Sequence, residues 1–251
     1  MMSINRTNTL DPFIHHEIIN EWDIKSANTS LMRYYNLIDS KLIDKFEKMN
    51  KQHREEAVGR LSKKDKDFSK LLEKSFNNII NEFMEINNLD FDKDIIAIKK
   101  DAVFVRNKEI RHNIFGNGAV NFINKNTYSG CLLIPNYEFY YSKDKIDVKG
   151  INDNSIHYHQ DGVLSLISLL MQNGHNWIEL NQLLKDYAQV YKQRQLPFNA
   201  YREFNSLSKF RVNLYGEEIL MDDIDEDLIE DVNISFNYLK IYLPILKILI
   251  K

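Results

Sequence analysis

The chain has 251 residues, a length that allows one or two domains with an ample core, and its 43% hydrophobic and 27% charged residues exclude a disordered protein. A net charge of −3 excludes an all-over basic protein, although a single basic face would suffice for a nucleic-acid partner. Eight glycines and four prolines disfavour a turn-rich all-β fold, and the single cysteine, Cys131, excludes an internal disulfide framework and fits a reducing cytoplasm.

The first residues, MMSINRTNTL, are polar and carry no signal-peptide pattern. Ile14 to Ile24 alternate imperfectly between apolar and polar, which predicts a strand ending at Asp23. From Leu31 to Phe46 apolar residues recur at three and four, the spacing of an amphipathic helix. The stretch Lys48 to Lys70 is the most charged; it reads as a solvated helical hairpin turning near Gly59. A second helix is expected over Phe68 to Ile86, with Leu71, Leu72, Phe76, Ile79, Ile80 and Phe83 inward. Asn87 to Asp94 is a polar turn leading into an apolar strand over Ile95 to Val105.

Four further strands are predicted: Val120 to Ile123, Ser129 to Ile134, Tyr137 to Tyr141 and Lys145 to Val148. After Gly150 the character changes. Helical spacing returns over Gly162 to Gln172 and Trp177 to Tyr191, and within Leu228 to Ile250, so a boundary falls near residue 151. The acidic run Glu217 to Asp231 reads as an exposed loop with helix starts. The apolar stretch Tyr242 to Ile250, broken by Pro244 and Lys247, is too short to span a bilayer, and no membrane partner is expected.

Two aspartates carry the candidate chemistry. A two-metal site needs carboxylates on rigid elements that can bridge cations roughly 3.5–4 Å apart. Asp23 sits where a strand hands over to a turn and helix, and Asp101 sits in an apolar run where a charge is costly unless paired or metal-bound. The alternative places Asp101 in a hairpin turn, Lys99-Lys100-Asp101, and Asp23 at a helix N-terminus, where aspartate is common. The other motifs read as ordinary structure. His157-x-His159 and His15-His16 have no completing ligand, and Phe115-Gly116-Asn117-Gly118 is a turn without the lysine of a phosphate loop.

The string Asp23-x-x-Ser26-Ala27-Asn28-Thr29-Ser30-Leu31 resembles the first palm motif of family B DNA polymerases, D-x-x-S-L-Y-P-S-I. Ile98-Lys99-Lys100-Asp101-Ala102-Val103-Phe104-Val105 is similar to their second metal motif, Y-x-D-T-D-S followed by an apolar strand. Lys125-Asn126-Thr127-Tyr128 resembles the K-K-x-Y segment that contacts primer-template, and Ile146-Asp147-Val148-Lys149-Gly150-Ile151 the x-x-K-G-I strand that leads into the thumb. Leu196-Pro197-Phe198 and Ser206-Leu207-Ser208-Lys209 look like a thumb segment. The strings span residues 20 to 210 in family order, and the texture is that of small, divergent phage polymerase-like proteins.

The resemblance implies an α+β fold: an antiparallel palm-like sheet with packed helices over residues 1–150, a short helical fingers insertion at about 40–68, and a helical thumb over 151–251. It implies template-directed nucleotidyl transfer, with Asp23 and Asp101 holding two Mg²⁺ or Mn²⁺ ions. Ser26 and Asn28 would line the nucleotide, with Arg60 and Lys63 supplying cationic groups for its triphosphate; Lys100, Lys125, Tyr128 and Lys149 would face primer-template nucleic acid. The departures are specific. Lys99 and Lys100 replace an acid and a threonine, Asn28 replaces the tyrosine that screens out ribose, and the fingers motif K-x-x-x-N-S-x-Y-G is missing. They leave open a catalytically degenerate palm that binds nucleic acid or assembles with a partner subunit, which would supply the missing fingers or a processivity function. With 22 residues before Asp23, a proofreading exonuclease is not expected, and the expected location is the cytoplasm of a bacterial host.

Overall fold

Strand β2, Phe13–Ile24, is the long central strand, and its neighbours place the residues of interest. The computed structural model describes residues 5–134, 137–143 and 145–149, isolated positions between 168 and 195, and the segments 211–214 and 217–220. The expected helices over 162–172, 177–191 and 228–250 lie outside the described residues or are represented by isolated positions, and of the expected thumb over 151–251 the continuous described segments are 211–214 and 217–220.

The chain divides into two units, one of residues 1–10 and 17–127, the other of residues 11–16 and 128–251. In the first, β1 (Arg6–Thr7), β3 (Ile95–Lys99), β4 (Ala102–Arg106), β2 and β6 (Val120–Ile134) lie side by side in that order, with β5 (Ile114–Phe115) paired to β6. The pairings of β1 with β3, β3 with β4 and β4 with β2 are antiparallel. Five α-helices precede β3: α1 Ala27–Tyr34, α2 Ser40–Glu47, α3 Lys51–Lys64, α4 Lys66–Ile86 and α5 Phe91–Asp94. The fold is thus α+β with an antiparallel sheet.

The helical layer forms because its apolar stripes have one sheet face to cover. In α4, Phe68, Leu72, Phe76, Ile79, Ile80 and Phe83 share one side and meet Ile24, Ile98, Val103, Val105 and Phe122 of the strands. Phe83 and Phe122 stack with centroids 4.2 Å apart, and burial of each ring contributes about 1.5–3 kcal/mol. Strand alternation then puts Trp22 and Ile24 toward the helices and Glu21 and Asp23 toward the other face. Among the described residues no helix is long and apolar enough to cross a membrane.

In the second unit, β7 (Tyr137–Tyr141) pairs antiparallel with β6 and with β8 (Ile146–Lys149), and the Tyr141 hydroxyl donates to the Ile14 carbonyl at 2.9 Å. A separate hairpin joins β9, Arg211–Leu214, to β10, Glu217–Leu220. The start of the acidic run is therefore strand rather than loop.

Several expected boundaries move. The helix expected from Leu31 to Phe46 is two helices, because Asn36 takes a left-handed φ of 50° and Asp39 caps α2 through Lys41 N–H. The charged hairpin turns at Asp65, not Gly59; the Asp65 carboxylate accepts from Asp67 and Phe68 N–H, and Gly59 sits inside α3. The polar turn before β3 includes the short α5, and the two strands expected between Val120 and Ile134 are one. The apolar strand expected over Ile95 to Val105 is a hairpin, β3 and β4, turning at Lys100-Asp101.

Two glycines make opposite predictions. Gly116 has φ +56° and lies against the Tyr34 ring, so Gly116→Ala meets both a strained backbone and a filled space. Urea denaturation should show a loss of about 1–3 kcal/mol. Gly59 faces open space within α3, and Gly59→Ala should gain about 0.5–1 kcal/mol in the same assay.

Candidate functional site

Asp23 and Asp101 come together because β2 runs antiparallel to β4. Asp23 is the register partner of Ala102, and the Ile24 N–H donates to the Asp101 carbonyl at 3.0 Å. Asp23 lies in the strand, two residues before the chain leaves it, and not at a helix N-cap, a position held by Ser26. Asp101 occupies the β3–β4 turn, so the hairpin alternative describes it. Lys125, from β6 on the other side of β2, donates from Nζ to Asp23 Oδ2 at 3.0 Å. Two strands and a turn thus deliver two carboxylates and one ammonium to the same place.

The charges feel one another. Burial holds the Asp101 carboxyl above the usual carboxylate range, and the negative charge of Asp23 pushes it further up; Lys100 and Lys125 pull it back. The hydrogen bond to Asp23 holds the Lys125 ammonium above its ordinary range, against the effect of burial. Glu21, only 2% exposed and on the same face of β2 as Asp23, also acts on Lys125 and accepts from Asn126 at 2.6 Å. Asn20 accepts from Thr127 and Asn124. The sequence does not announce these β2–β6 contacts; there Lys125 to Tyr128 resembles a segment that contacts primer-template.

Among the described residues, the buried polar atoms without a hydrogen-bond partner include Trp22 Nε1 on the helix side of β2, Asn28 Oδ1 in α1 and Asn121 Oδ1 in β6; the Asn121 carbonyl accepts from Lys25 N–H just beyond Asp23. Ser26 is exposed, with a left-handed φ of 52°, and its carbonyl accepts from the Thr29 hydroxyl.

Of the remaining sequence candidates in the first unit, Lys100 acts on Asp101 by its charge. Lys100 turns toward α4, its Nζ 5.1 Å from the Phe76 ring centroid, while Lys99 reaches Thr7 at 3.0 Å. Arg60 and Lys63 are exposed on α3. In the second unit Tyr128 is buried, its hydroxyl donating to Asp147 at 2.7 Å, and Lys149 is the register partner of Glu138 in β8.

A hard divalent cation of the Mg²⁺ type is commonly bound by one or two carboxylates, with water and substrate phosphates completing its shell. Asp23 and Asp101 fit that donor set, and burial with the charge of Asp23 disfavours the ionised form of Asp101. Among the described residues no cluster of three or more acidic, histidine or cysteine ligands forms.

The raised Asp101 carboxyl has a stability consequence. The folded chain binds that proton more tightly than the unfolded one, so the ionised form is a burden that disappears as pH falls through the raised titration. Asp101→Asn should therefore raise the melting temperature at neutral pH, with the gain vanishing in acid. Thermal melts across that range check it.

A protein-family model described as Bacteriophage PBS1 gene 130 protein matches residues 3–251. No curated protein matches the chain. Because the match runs over almost its whole length, the chain belongs to this phage protein family.

Proposed function

We propose that the chain is a template-directed nucleotidyltransferase of DNA-polymerase type, with Asp23 and Asp101 as its catalytic carboxylates. The observation that carries this reading is the approach of these two residues, one near the end of β2 and one in the β3–β4 turn beside it, close enough for the charge of Asp23 to act on Asp101. The order of motifs resembling those of family B polymerases supports it, and so does membership of a phage family.

In this reading the primer 3′ oxygen forms a bond to the α-phosphorus of a nucleoside triphosphate, and pyrophosphate leaves. Bound Mg²⁺ or Mn²⁺ would activate the hydroxyl and stabilise the leaving group. Asp23 and Asp101 would hold the ions, which requires Lys125 to release the Asp23 carboxylate; its freed ammonium would then face primer phosphate. Asn28, with its buried amide oxygen beside the start of α1, would stand near the sugar. An amide fills less space than a phenol, so ribonucleotides should be rejected weakly. Arg60 and Lys63 would offer charge to the triphosphate, and Lys149 would touch the nucleic-acid backbone. The sheet-and-helix unit would be the palm, α2 and α3 a reduced fingers insertion, and residues beyond 151 the thumb.

Two contacts favour a second reading. The Lys125–Asp23 ion pair already neutralises one carboxylate, and Lys100 lies over Phe76, as would suit a degenerate palm serving as a nucleic-acid-binding or assembly subunit. Metal titration separates the two. Mg²⁺ or Mn²⁺ should raise the melting temperature of the wild type and leave Asp23→Ala and Asp101→Ala unmoved. Radiolabelled nucleotide incorporation on a primed template should fall at least a hundredfold in either variant. Incorporation that survives both substitutions would place the active centre elsewhere.

A further inference from the structure

The helices between β2 and β3 carry an unbalanced charge. Residues 40–74 hold eleven lysines and arginines against seven acids, in a chain whose net charge is −3. Most of those acids already have a partner. Asp44 and Glu47 pair with Arg33 at 2.8 and 2.9 Å, and Glu55 lies 3.9 Å from Lys51. Glu56 accepts from Gln52, and the Asp65 carboxylate caps α4. Asp67 and Glu73 remain. Against them stand Lys41, Lys45 and Lys48 of α2 and Lys66, Lys70 and Lys74 of α4, all exposed and without an ion pair among the described residues.

Helix stability does not account for these positions. Lys66, Lys70 and Lys74 follow one another at one-turn spacing, where like charges repel. Lys66 stands in the first turn of α4 and Glu85 in its last, each at the end that the helix dipole disfavours, and Asp67 is the one first-turn acid that offsets this. On α2, Lys41, Lys45 and Lys48 likewise recur at helical spacing on one side. Both helices turn their buried residues into a single core, so the lysine rows face outward from it.

The same surface selects among polyanions. The aromatic residues of α2 and α4 are Phe46, Phe68, Phe76 and Phe83, and all are buried, which leaves no platform for stacking an unpaired base. Leu71 and Ile86 are the exposed large apolar residues of these helices, too few for an apolar face that enters a bilayer. Asn78 and Asn81, exposed beyond Lys74, add neutral donors of the kind that meet phosphate oxygens.

We propose that the outer side of α2 and α4 binds a nucleic-acid duplex through its phosphate backbone, without reading its sequence. A lysine ammonium meets phosphate as a point charge, and release of condensed counterions drives the association. The inference needs neither the paired aspartates nor a metal, so it stands or falls apart from the catalytic reading.

Fluorescence anisotropy of the full chain with a labelled DNA duplex of about 30 base pairs, in EDTA, tests it. Affinity should be equal for unrelated sequences, no weaker than for a single strand of that length, and should fall at least a hundredfold between about 50 and 200 mM salt. Lys66→Gln/Lys70→Gln/Lys74→Gln and Lys41→Gln/Lys45→Gln/Lys48→Gln should each weaken binding at least tenfold while melting no lower than the wild type. Lys93→Gln/Lys108→Gln/Lys143→Gln removes the same charge from exposed lysines outside these helices and should weaken it less than threefold. Asp23→Ala should bind as the wild type does. No binding by the wild type, displacement of the duplex by polyglutamate at matched charge, or equal losses in the control and the two helix variants would each overturn the proposal.

Discussion

The antiparallel pairing of β2 with β4 is the constraint on which the site depends. It sets Asp23 opposite Ala102 and ties the Ile24 amide to the Asp101 carbonyl, so two residues far apart in sequence share one patch of sheet. A one-residue slip in this register would turn Asp23 toward the helices and Trp22 away from them. The apolar stripe of α4 opposes that slip, because it needs Ile24, Val103 and Val105 on its own side. Packing on one face thus dictates charge on the other.

On that face the Lys125 ammonium from β6 meets Asp23, and Lys100 and Lys125 both act on Asp101, whose carboxyl is held up chiefly by burial. Lys125 is about half exposed, so its ion pair with Asp23 is screened by solvent and contributes modestly to stability.

The sequence made the long elements legible. The three-and-four spacing of α4 and the position of Asp23 at the end of β2 both follow from residue pattern. The hairpin at Lys100-Asp101 was harder to see, because its turn holds a lysine with positive φ where glycine or asparagine would announce a turn. Gly59 suggested a break that α3 does not take, while Asp65, an ordinary capping residue, marks the real one. The break between α1 and α2 was signalled by Asn36 and Asp39 but masked by the continuous apolar spacing around them. The link from Lys125 to Asp23 has no local signature at all, because it joins residues brought together only by the sheet.

The electrostatic coupling of Asp101 to Asp23 is the most direct test of the site. Carbon-detected NMR titration of the Asp101 carboxyl should find it above the ordinary carboxylate range in the wild type and lower in Asp23→Asn, where the repulsion is gone and Lys125 is free to turn to Asp101. An Asp101 titration that is unchanged by the substitution would mean that the two carboxylates do not share a site, and the catalytic reading would fall with it.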